Sequence, residues 1–233
     1  MIPSGLDRRR VRELLAEAKG DRSVTDRIAI FSGYFLGYPY KPFPLIGSAV
    51  TPEVFVAPLD GFDCVTYIET VLALARAATI DGFIESLRKI RYEQGRIEWR
   101  KRNHYMTGWI RNNLRDATLG RIAAVSVPTV LRERLLDVVP GLPARHTTLK
   151  CVPKSAVPRL ARWLLTGDLI FFASTRKHLD FFHAGIIVRT RERLVLRHAS
   201  RSQGEVVEQR LDDFLKKNRM AGVVVVRPAQ RGR

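Results

Sequence analysis

The first third of the chain repeats apolar residues at helical spacing. Within residues 61–75, Val71, Leu72 and Ala75 continue a stripe that returns every three or four positions, as on a helix that buries one side. Asp63 precedes the stripe and has the side chain of a good N-cap, so this central helix is expected to begin at residue 64. The same spacing predicts further helices over residues 6–19, 26–36 and 81–90.

The second half of the chain changes to strand patterns. The segments GDLIFFAS, DFFHAGIIVRT, RERLVLRHAS and GEVVEQRL, which begin at Gly167, are rich in strand-forming residues and are separated by turns. AGVVVVRP, closed by Pro228, is a further strand, and a short one is predicted around residues 150–152. Residues 117–139 show no clear period. Helices followed by an antiparallel sheet predict an α+β fold.

One domain is the simplest organisation, because no internal repeat or low-complexity linker divides the chain. Its expected parts are a helical N-terminal part with a Pro- and Gly-rich loop (residues 1–60), the central helix (61–80), a helical insertion (91–139) and the antiparallel sheet (165–228).

The chain is strongly basic. Its 40 Lys and Arg residues outnumber its 23 Asp and Glu residues, which gives a net charge of +17. Such an excess suits an anionic partner, for example nucleic acid, an acidic membrane surface or a cell-wall polymer. A solvated basic surface that reflects an arginine-rich genome explains the charge equally well.

Basic, aromatic and amide residues interleave in the segment RYEQGRIEWRKRNHYMTGWIRNN. Nucleic-acid surfaces show this mixture, but the segment carries no recognition-helix pattern and no RNA-binding signature. Trp109 and Ile110 are therefore interpreted as core residues of a short helix that starts near Thr107, and no nucleic-acid partner is expected. Three polar residues before this helix are candidates for lining a site: Asn103, His104 and Tyr105.

The two cysteines, Cys64 and Cys151, form neither a metal-binding spacing nor a disulfide framework, so no metal or cofactor is expected. The N-terminal residues are charged throughout and lack a secretory signal, and no run approaches the roughly 20 apolar residues that span a bilayer. The sequence as written predicts a cytoplasmic protein. A misassigned start codon or a non-standard export route would place it in the periplasm or cell envelope.

Cys64 is the first candidate for chemistry. At a helix start, free backbone N–H groups and the helix dipole stabilise a thiolate, so its pKa is expected below the usual value of about 8.5. The alternative is a small buried hydrophobe, the more common role of a lone cysteine. Cys151 lies among strand formers without a helix start, and a structural role is preferred there.

Two histidines on neighbouring strands are candidates to activate the thiol. His183 and Gly185 share one face of their strand, and a tight turn over residues 190–193 would set His198 across from Gly185. His183 and His198 would then be diagonal neighbours on one face, whereas a one-residue slip would turn His198 away. Each histidine alone is more often structural. Together with a helix-capped cysteine they favour an enzyme, because a Cys–His pair needs a third group to hold the base.

These motifs carry a resemblance. FDCVTYIE, GDLIFF, HAGIIV and HAS are similar to the NlpC-type superfamily of papain-like cell-wall peptidases and amidases. FLGYPY, PLIG, DCVTYIETVLALA, IRYEQGRI and RNHYMTGWI extend the resemblance to the branch called N-acetylmuramoyl-L-alanine amidase-like. Ala184 stands where a valine is usual in that branch.

The resemblance implies a papain-like NlpC-type fold in which Cys64 is the nucleophile, His183 the base and His198 the orienting group. The implied reaction is hydrolysis of the amide between N-acetylmuramic acid and L-alanine in peptidoglycan or muropeptides. Two alternatives remain open: a γ-D-glutamyl-diamino-acid endopeptidase with the same triad, and a basic protein that only binds nucleic acid or anionic polymer. Candidate substrate-binding residues are Tyr40, Asp63, Asn103, His104, Tyr105 and Ser200.

Overall fold

The computed structural model describes residues 2–20, 22–122 and 127–230. Within these residues the α-helices are α1 (Arg8–Glu17), α2 (Val24–Tyr34), α3 (Cys64–Arg76), α4 (Ile80–Arg91), α5 (Met106–Arg115), α6 (Val157–Ala161) and α7 (Leu211–Lys217). The strands are β1 (Leu119–Arg121), β2 (Val130–Leu136), β3 (Arg145–Cys151), β4 (Leu169–Ala173), β5 (Phe181–Arg189), β6 (Leu194–Ser200), β7 (Glu205–Arg210) and β8 (Gly222–Pro228). Short 3-10 turns occur at Glu93–Gly95, Trp99–Lys101 and Lys154–Ala156.

Six strands form one antiparallel sheet in the order β1-β8-β4-β5-β6-β7. The pair β2–β3 makes a separate antiparallel hairpin. Helices therefore combine with a mostly antiparallel sheet, as the sequence predicts. No helix in the described part of the chain has the length and apolar character needed to cross a membrane.

The sheet buries both of its faces, as its central strand β4 demonstrates. Leu169 and Phe171 point into a core that contains α2 and α3, whereas Ile170 and Phe172 point into a second core under α6 and α7. Strands covered on both faces are continuously apolar, which explains the unbroken LIFFA run. The helix α3 packs against β5 and β6, the two strands that carry the candidate histidines.

The four helices predicted in the first third of the chain are confirmed as α1 to α4. Their ends follow the caps and not the apolar stripe alone. For example, Ser23 accepts a hydrogen bond from Asp26 N while the Asp26 carboxylate accepts one from Ser23 N, so α2 begins at Val24. The segment predicted near Thr107 forms α5.

The core roles of Trp109 and Ile110 are confirmed, because both side chains are buried. Trp109 Nε1 donates to Glu69 Oε1 at 3.1 Å, and the other Glu69 oxygen lies 2.7 Å from Arg91 Nε. A buried carboxylate on α3 is thereby paired with α4 and hydrogen-bonded to α5, and the three helices are held in one arrangement.

Residues 91–139, predicted to be a helical insertion, are only partly helical, and this prediction is corrected. The segment contains α5, but β1 joins the edge of the main sheet beside β8, and β2 pairs with β3. A three-residue strand is too short to show alternation, and the apolar residues of β2 (VLRERLL) lie at its two ends and do not alternate, so neither carries a strand pattern. Positions 123–126 of the segment lie outside the described residues.

Candidate active site

Cys64 is the first residue of α3 and is partly exposed. Asp63 Oδ1 accepts hydrogen bonds from the backbone N–H groups of Val65 and Thr66, at 3.1 and 2.7 Å. Thr66 Oγ1 in turn accepts from Asp63 N at 3.0 Å, which completes a capping box. The N-cap prediction for Asp63 is confirmed, and the cap fixes the point at which Cys64 enters the helix.

The chain before α3 is held by a neighbouring segment. Phe62 N donates to Pro39 O at 3.0 Å, and Lys41 N donates to Phe62 O at 2.9 Å. At Gly61 an added Cβ would lie 2.8 Å from Pro39 O, so a side chain there would push the two segments apart. These contacts place Tyr40 beside the start of α3.

Tyr40 is close enough to Cys64 for an electrostatic interaction between the phenol and the thiol. Its pKa is raised by burial and then by the charges of Cys64 and Asp63. A neutral phenol near the sulfur is a hydrogen-bond donor to a substrate group bound there. The sequence-based candidates Tyr40 and Asp63 therefore lie together at the thiol.

His183 and His198 form a hydrogen-bonded pair, with His183 Nε2 2.7 Å from His198 Nδ1. The predicted register is confirmed, because Ile186 pairs with Arg197 and Gly185 therefore lies across from His198. A Cβ on Gly185 would lie 2.9 Å from Arg197 O and 3.1 Å from His198 Cβ. The glycine thus permits the close approach that brings the two rings together.

The thiol contacts the backbone of β5 near the point where its pairing with β6 ends. Pairing between β5 and β6 ends at Ile186. Just before that point, the backbone N–H of Ala184 hydrogen-bonds the sulfur of Cys64. Ala184 directly follows His183 in β5, so the Cys64 sulfur contacts the backbone of the residue next to the candidate base. His183 Nε2 is occupied by His198, which leaves Nδ1 as the ring nitrogen available to another group.

Aromatic side chains surround the histidine pair. The ring of Phe214 on α7 stacks on His183 at a centroid distance of 5.5 Å and meets His198 edge-on at 5.4 Å. Burial, with a smaller contribution from His198, lowers the pKa of His183 to about 3. Burial lowers the pKa of His198 to about 4. Both rings are therefore neutral at neutral pH.

The expectation of an acidic thiol is wrong. Burial, reinforced by the Asp63 carboxylate, raises the pKa of Cys64 to about 12. Backbone N–H groups of Ala184, Cys64 and Val65 act in the opposite direction, but they do not offset the loss of solvent. In the free protein the Cys64 sulfur is therefore a neutral thiol.

Gln209 is a functional candidate that the sequence reasoning missed. Its side-chain amide lies 2.6 Å from His198 Nε2, so the chain His183–His198–Gln209 is continuous. On β7 Gln209 pairs with Leu196, which makes it a diagonal neighbour of His198 on the same face. The alternation of GEVVEQRL places Gln209 on the face of His198 only when the register between β7 and β6 is known.

A groove of about 810 Å³, called here the histidine groove, opens beside the pair. The candidate Ser200 lies in it, where its hydroxyl is 3.2 Å from that of Ser202. The groove is lined by Phe182, His183, His198, Ser200, Arg201, Ser202, Gln203, Gln209, Phe214, Lys217 and Asn218.

Asn103 and His104 line a second groove, of about 400 Å³, which also includes Asp63 and is called here the Asp63 groove. Asn103 Oδ1 accepts from Asn112 Nδ2 at 2.7 Å, and the His104 ring is 2.7 Å from Trp99 O. Burial lowers the pKa of His104. The expectation that these two residues border a site is compatible with this placement.

Tyr105 faces a neighbouring groove, also bordered by Asn103 and His104 and rich in basic residues. Its hydroxyl oxygen accepts a hydrogen bond from Val139 N at 3.2 Å. Tyr105 is not among the residues that line the Asp63 groove, whereas Asn103 and His104 border both grooves. No three His, Cys, Asp or Glu side chains in the described residues are arranged to hold a metal ion.

Comparison with known proteins identifies the family. A model described as AmiA-like, N-acetylmuramoyl-L-alanine amidase-like, matches residues 30–223. The chain belongs to this amidase-like family. Membership indicates an amidase-like hydrolase with a peptidoglycan substrate. The matched range includes Cys64, His183, His198 and Gln209. No curated protein matches the chain.

Solved structures share the amidase-like fold. Protein LPG0564 from Legionella pneumophila superposes with a TM-score of 0.84 at 22% identity, covering 96% of this chain and 95% of that one. An N-acetylmuramoyl-L-alanine amidase from Bacteroides uniformis gives 0.78 at 25% identity, covering 88% of this chain and 99% of that one. A Bacteroides fragilis protein with a provisional xylanase name gives 0.73 at 25%, covering 84% and 98%. Since these names differ, the fold alone does not determine the substrate.

Proposed function

We propose that this protein is a cysteine amidase with a papain-like NlpC-type fold. It hydrolyses the amide that joins the lactyl group of N-acetylmuramic acid to L-alanine, in peptidoglycan or in muropeptides. The observation that carries the proposal is the hydrogen-bonded pair of His183 and His198, together with a Cys64 at a helix start whose sulfur contacts the backbone of Ala184, the residue after His183. Membership of the amidase-like family supports the choice of bond.

The first step forms an acyl-enzyme. His183 Nδ1 takes the proton of the Cys64 thiol as the sulfur attacks the carbonyl carbon, because a neutral thiol must lose its proton to become a strong nucleophile. The carbonyl oxygen becomes an oxyanion. Backbone N–H groups at the start of α3, that of Cys64 among them, stabilise this charge.

The second step releases the peptide. The imidazolium of His183 gives its proton to the nitrogen of L-alanine, the carbon–nitrogen bond breaks, and the muramoyl group stays on Cys64 as a thioester. A water molecule then gives one proton to His183 and attacks the thioester carbon. The N-acetylmuramoyl product leaves with a free carboxylate, and His183 returns the proton to the Cys64 sulfur.

The hydrogen-bond chain prepares His183 for both steps. For Nδ1 to accept a proton, Nε2 must carry the hydrogen and donate it to His198 Nδ1. His198 then donates its own Nε2 hydrogen to a Gln209 amide oxygen, since the amide can turn either of its ends to the ring. Burial lowers the pKa of His183 to about 3, so the ring of the free protein is unprotonated at neutral pH and its Nδ1 can accept a proton.

Digestion of N-acetylmuramoyl-L-Ala-γ-D-Glu-diaminopimelate, followed by mass spectrometry, tests the proposal. The expected products are N-acetylmuramic acid and the intact tripeptide. Release of diaminopimelate would support the rival γ-D-glutamyl endopeptidase. An undigested substrate, with the fold intact, would support a protein that only binds anionic polymer.

A further inference from the structure

The histidine groove is charged on one side only. Arg201 and Lys217 line it, both side chains are exposed, and no acidic residue in the described part of the chain lines it with them. Neither cation forms an ion pair with a described residue, in contrast to Arg197 nearby, which pairs with Glu208 at 2.7 Å. Two unpaired cations in a groove beside a catalytic centre form a binding site for an anionic group.

The turn that carries Arg201 is fixed to the segment next to the thiol. Tyr40 N donates to Gly204 O at 2.7 Å, and Val206 N donates to Tyr38 O at 2.8 Å. Arg201 is close enough to Tyr40 for its positive charge to lower the Tyr40 pKa, against the larger effect of burial. The cation is therefore held within electrostatic reach of the reacting centre.

The mechanism decides which part of the substrate enters this groove. His183 gives its proton to the leaving nitrogen, so the peptide that begins at this nitrogen must start beside His183, which lines the histidine groove. Asp63 and Val65, the sequence neighbours of Cys64, border the separate Asp63 groove, which leaves that groove for the acyl part. In a muropeptide the carboxylates belong to the peptide, and the nearest to L-alanine is the α-carboxylate of γ-D-glutamate.

We infer that the histidine groove binds the departing stem peptide, and that Arg201, assisted by Lys217, holds the α-carboxylate of its γ-D-glutamyl residue. This inference rests on the proposed function. Serine and amide groups of the same groove, at Ser200, Ser202 and Gln203, provide hydrogen-bonding partners for the peptide backbone. Arg201 is thus a specificity-determining residue, and the groove explains part of the basic charge.

Two substrates test the inference on the unmodified protein. They are muramoyl tripeptides that differ only in a free α-carboxylate or an α-carboxamide on D-glutamate. Because a hydrogen bond to a charged group exceeds one to a neutral group, we expect kcat/KM to favour the carboxylate about tenfold, mainly through KM. Arg201→Gln should bring this ratio close to one, and Lys217→Gln should reduce it less.

Arg191→Gln and Lys216→Gln are matched controls, because both residues are exposed cations outside the groove. Both should keep the wild-type preference. Equal rates on the two substrates for the wild-type protein, or a preference that survives Arg201→Gln, would overturn the inference. The wild-type comparison stands even if a variant fails to fold.

Binding separates this inference from the proposed function. In Cys64→Ala protein, calorimetry with free L-Ala-γ-D-Glu-diaminopimelate should show affinity that Arg201→Gln weakens about tenfold. Binding of this kind, with a muramoyl amide that the wild-type protein leaves intact, would refute the function and keep the groove. Hydrolysis of the muramoyl amide without a preference for the carboxylate substrate would support the proposed function and overturn the inference about the groove.

Discussion

The two cysteines of this chain differ in exposure and in their neighbours. Cys64 begins α3, is partly exposed and has its sulfur at the backbone of Ala184, the residue after His183. Cys151 ends β3 with 1% of its surface exposed, its sulfur 3.9 Å from Ala221 O. A Cβ on Gly222 would lie 2.7 Å from this sulfur, so no substrate atom can approach from that side.

Acidity does not distinguish the two thiols. Burial raises the pKa of both Cys64 and Cys151. The difference is that only Cys64 has its sulfur at the backbone next to His183, whose ring belongs to the chain His183–His198–Gln209. Under the proposed mechanism, a base accepts the thiol proton during the reaction, and a low resting pKa of the thiol is not required.

The largest expected effect comes from removing the sulfur of Cys64, with Cys151 as the comparison. Cys64→Ala should lower turnover by roughly four orders of magnitude or more, because no other group can form the acyl-enzyme. Cys151→Ala should keep most of the activity and lower the free energy of unfolding by about 1 kcal/mol. Steady-state kinetics of both variants measures the turnover, and urea denaturation measures the free energy of unfolding. Wild-type turnover in folded Cys64→Ala protein would remove the distinction between the two regions.

Substitutions of the two histidines should have the next largest effects on turnover, and the effect of His183 should exceed that of His198. His183→Ala removes the general base and should cost about 10²- to 10⁴-fold in kcat, with His198→Ala toward the lower end because it only misorients the base. His198→Asn and His198→Gln should retain more activity than His198→Ala, since an amide still hydrogen-bonds His183.

The matched control is His178→Ala, because His178 is exposed and its ring pairs with Asp137. It should change turnover little. If all three His198 variants turned over like the wild-type protein, the orienting role would have to be assigned to another residue.

A smaller effect is expected at Gln209. Gln209→Ala removes one hydrogen bond from His198 and should lower kcat about fivefold. Gln209→Glu keeps an acceptor at this place and adds a negative charge, which raises the pKa of His198. The acid limb of its kcat–pH profile should therefore move upward, a shift that a purely structural role would not produce. An unchanged profile would separate Gln209 from the catalytic chain.

The smallest effect concerns stability in acid. His183 and His198 have folded pKa values of about 3 and 4, below the unfolded value near 6.5, so the unfolded state binds more protons in this interval. The free energy of unfolding is therefore highest above pH 6.5 and decreases as the pH falls. The decrease amounts to up to about 2 kcal/mol per histidine between pH 6.5 and 5.

Urea denaturation between pH 7 and pH 5 measures this loss. A His183→Asn, His198→Asn double variant should lose less stability than the wild-type protein on acidification, whereas Cys151→Ala should keep the wild-type slope. Equal slopes for all three proteins would mean that the buried imidazoles do not make the Cys64 region sensitive to acid.

The sequence contained the parts of the site that depend on local pattern. The Asp63 cap, the start of α3 and the alternation of β5 and β6 follow from residue types at short spacing, and they were sufficient to bring His183 and His198 together. Gln209 and the raised thiol pKa depend on the third strand of the pairing and on how much protein covers the sulfur. Such long-range packing has no local signature.

The elements of the fold also differ in whether a local sequence pattern predicts them. Long periodic helices and apolar strands were predictable, whereas β1, α6 and α7 have three to seven residues each and show no full period. α7 nevertheless matters for the chemistry, because it supplies Phe214 to the histidine pair and Lys217 to the groove. Short elements of this kind are positioned by the core that they cover.

The most direct test is the mass of the covalent intermediate on Cys64. Rapid acid quenching of the wild-type protein with N-acetylmuramoyl-L-Ala-γ-D-Glu-diaminopimelate, followed by peptide mass spectrometry, should find an N-acetylmuramoyl group on the Cys64 peptide and none on the Cys151 peptide. A muramoyl-L-Ala-γ-D-Glu adduct would instead identify the endopeptidase reaction. Turnover with an unmodified Cys64 at every quench time would contradict the thioester mechanism itself.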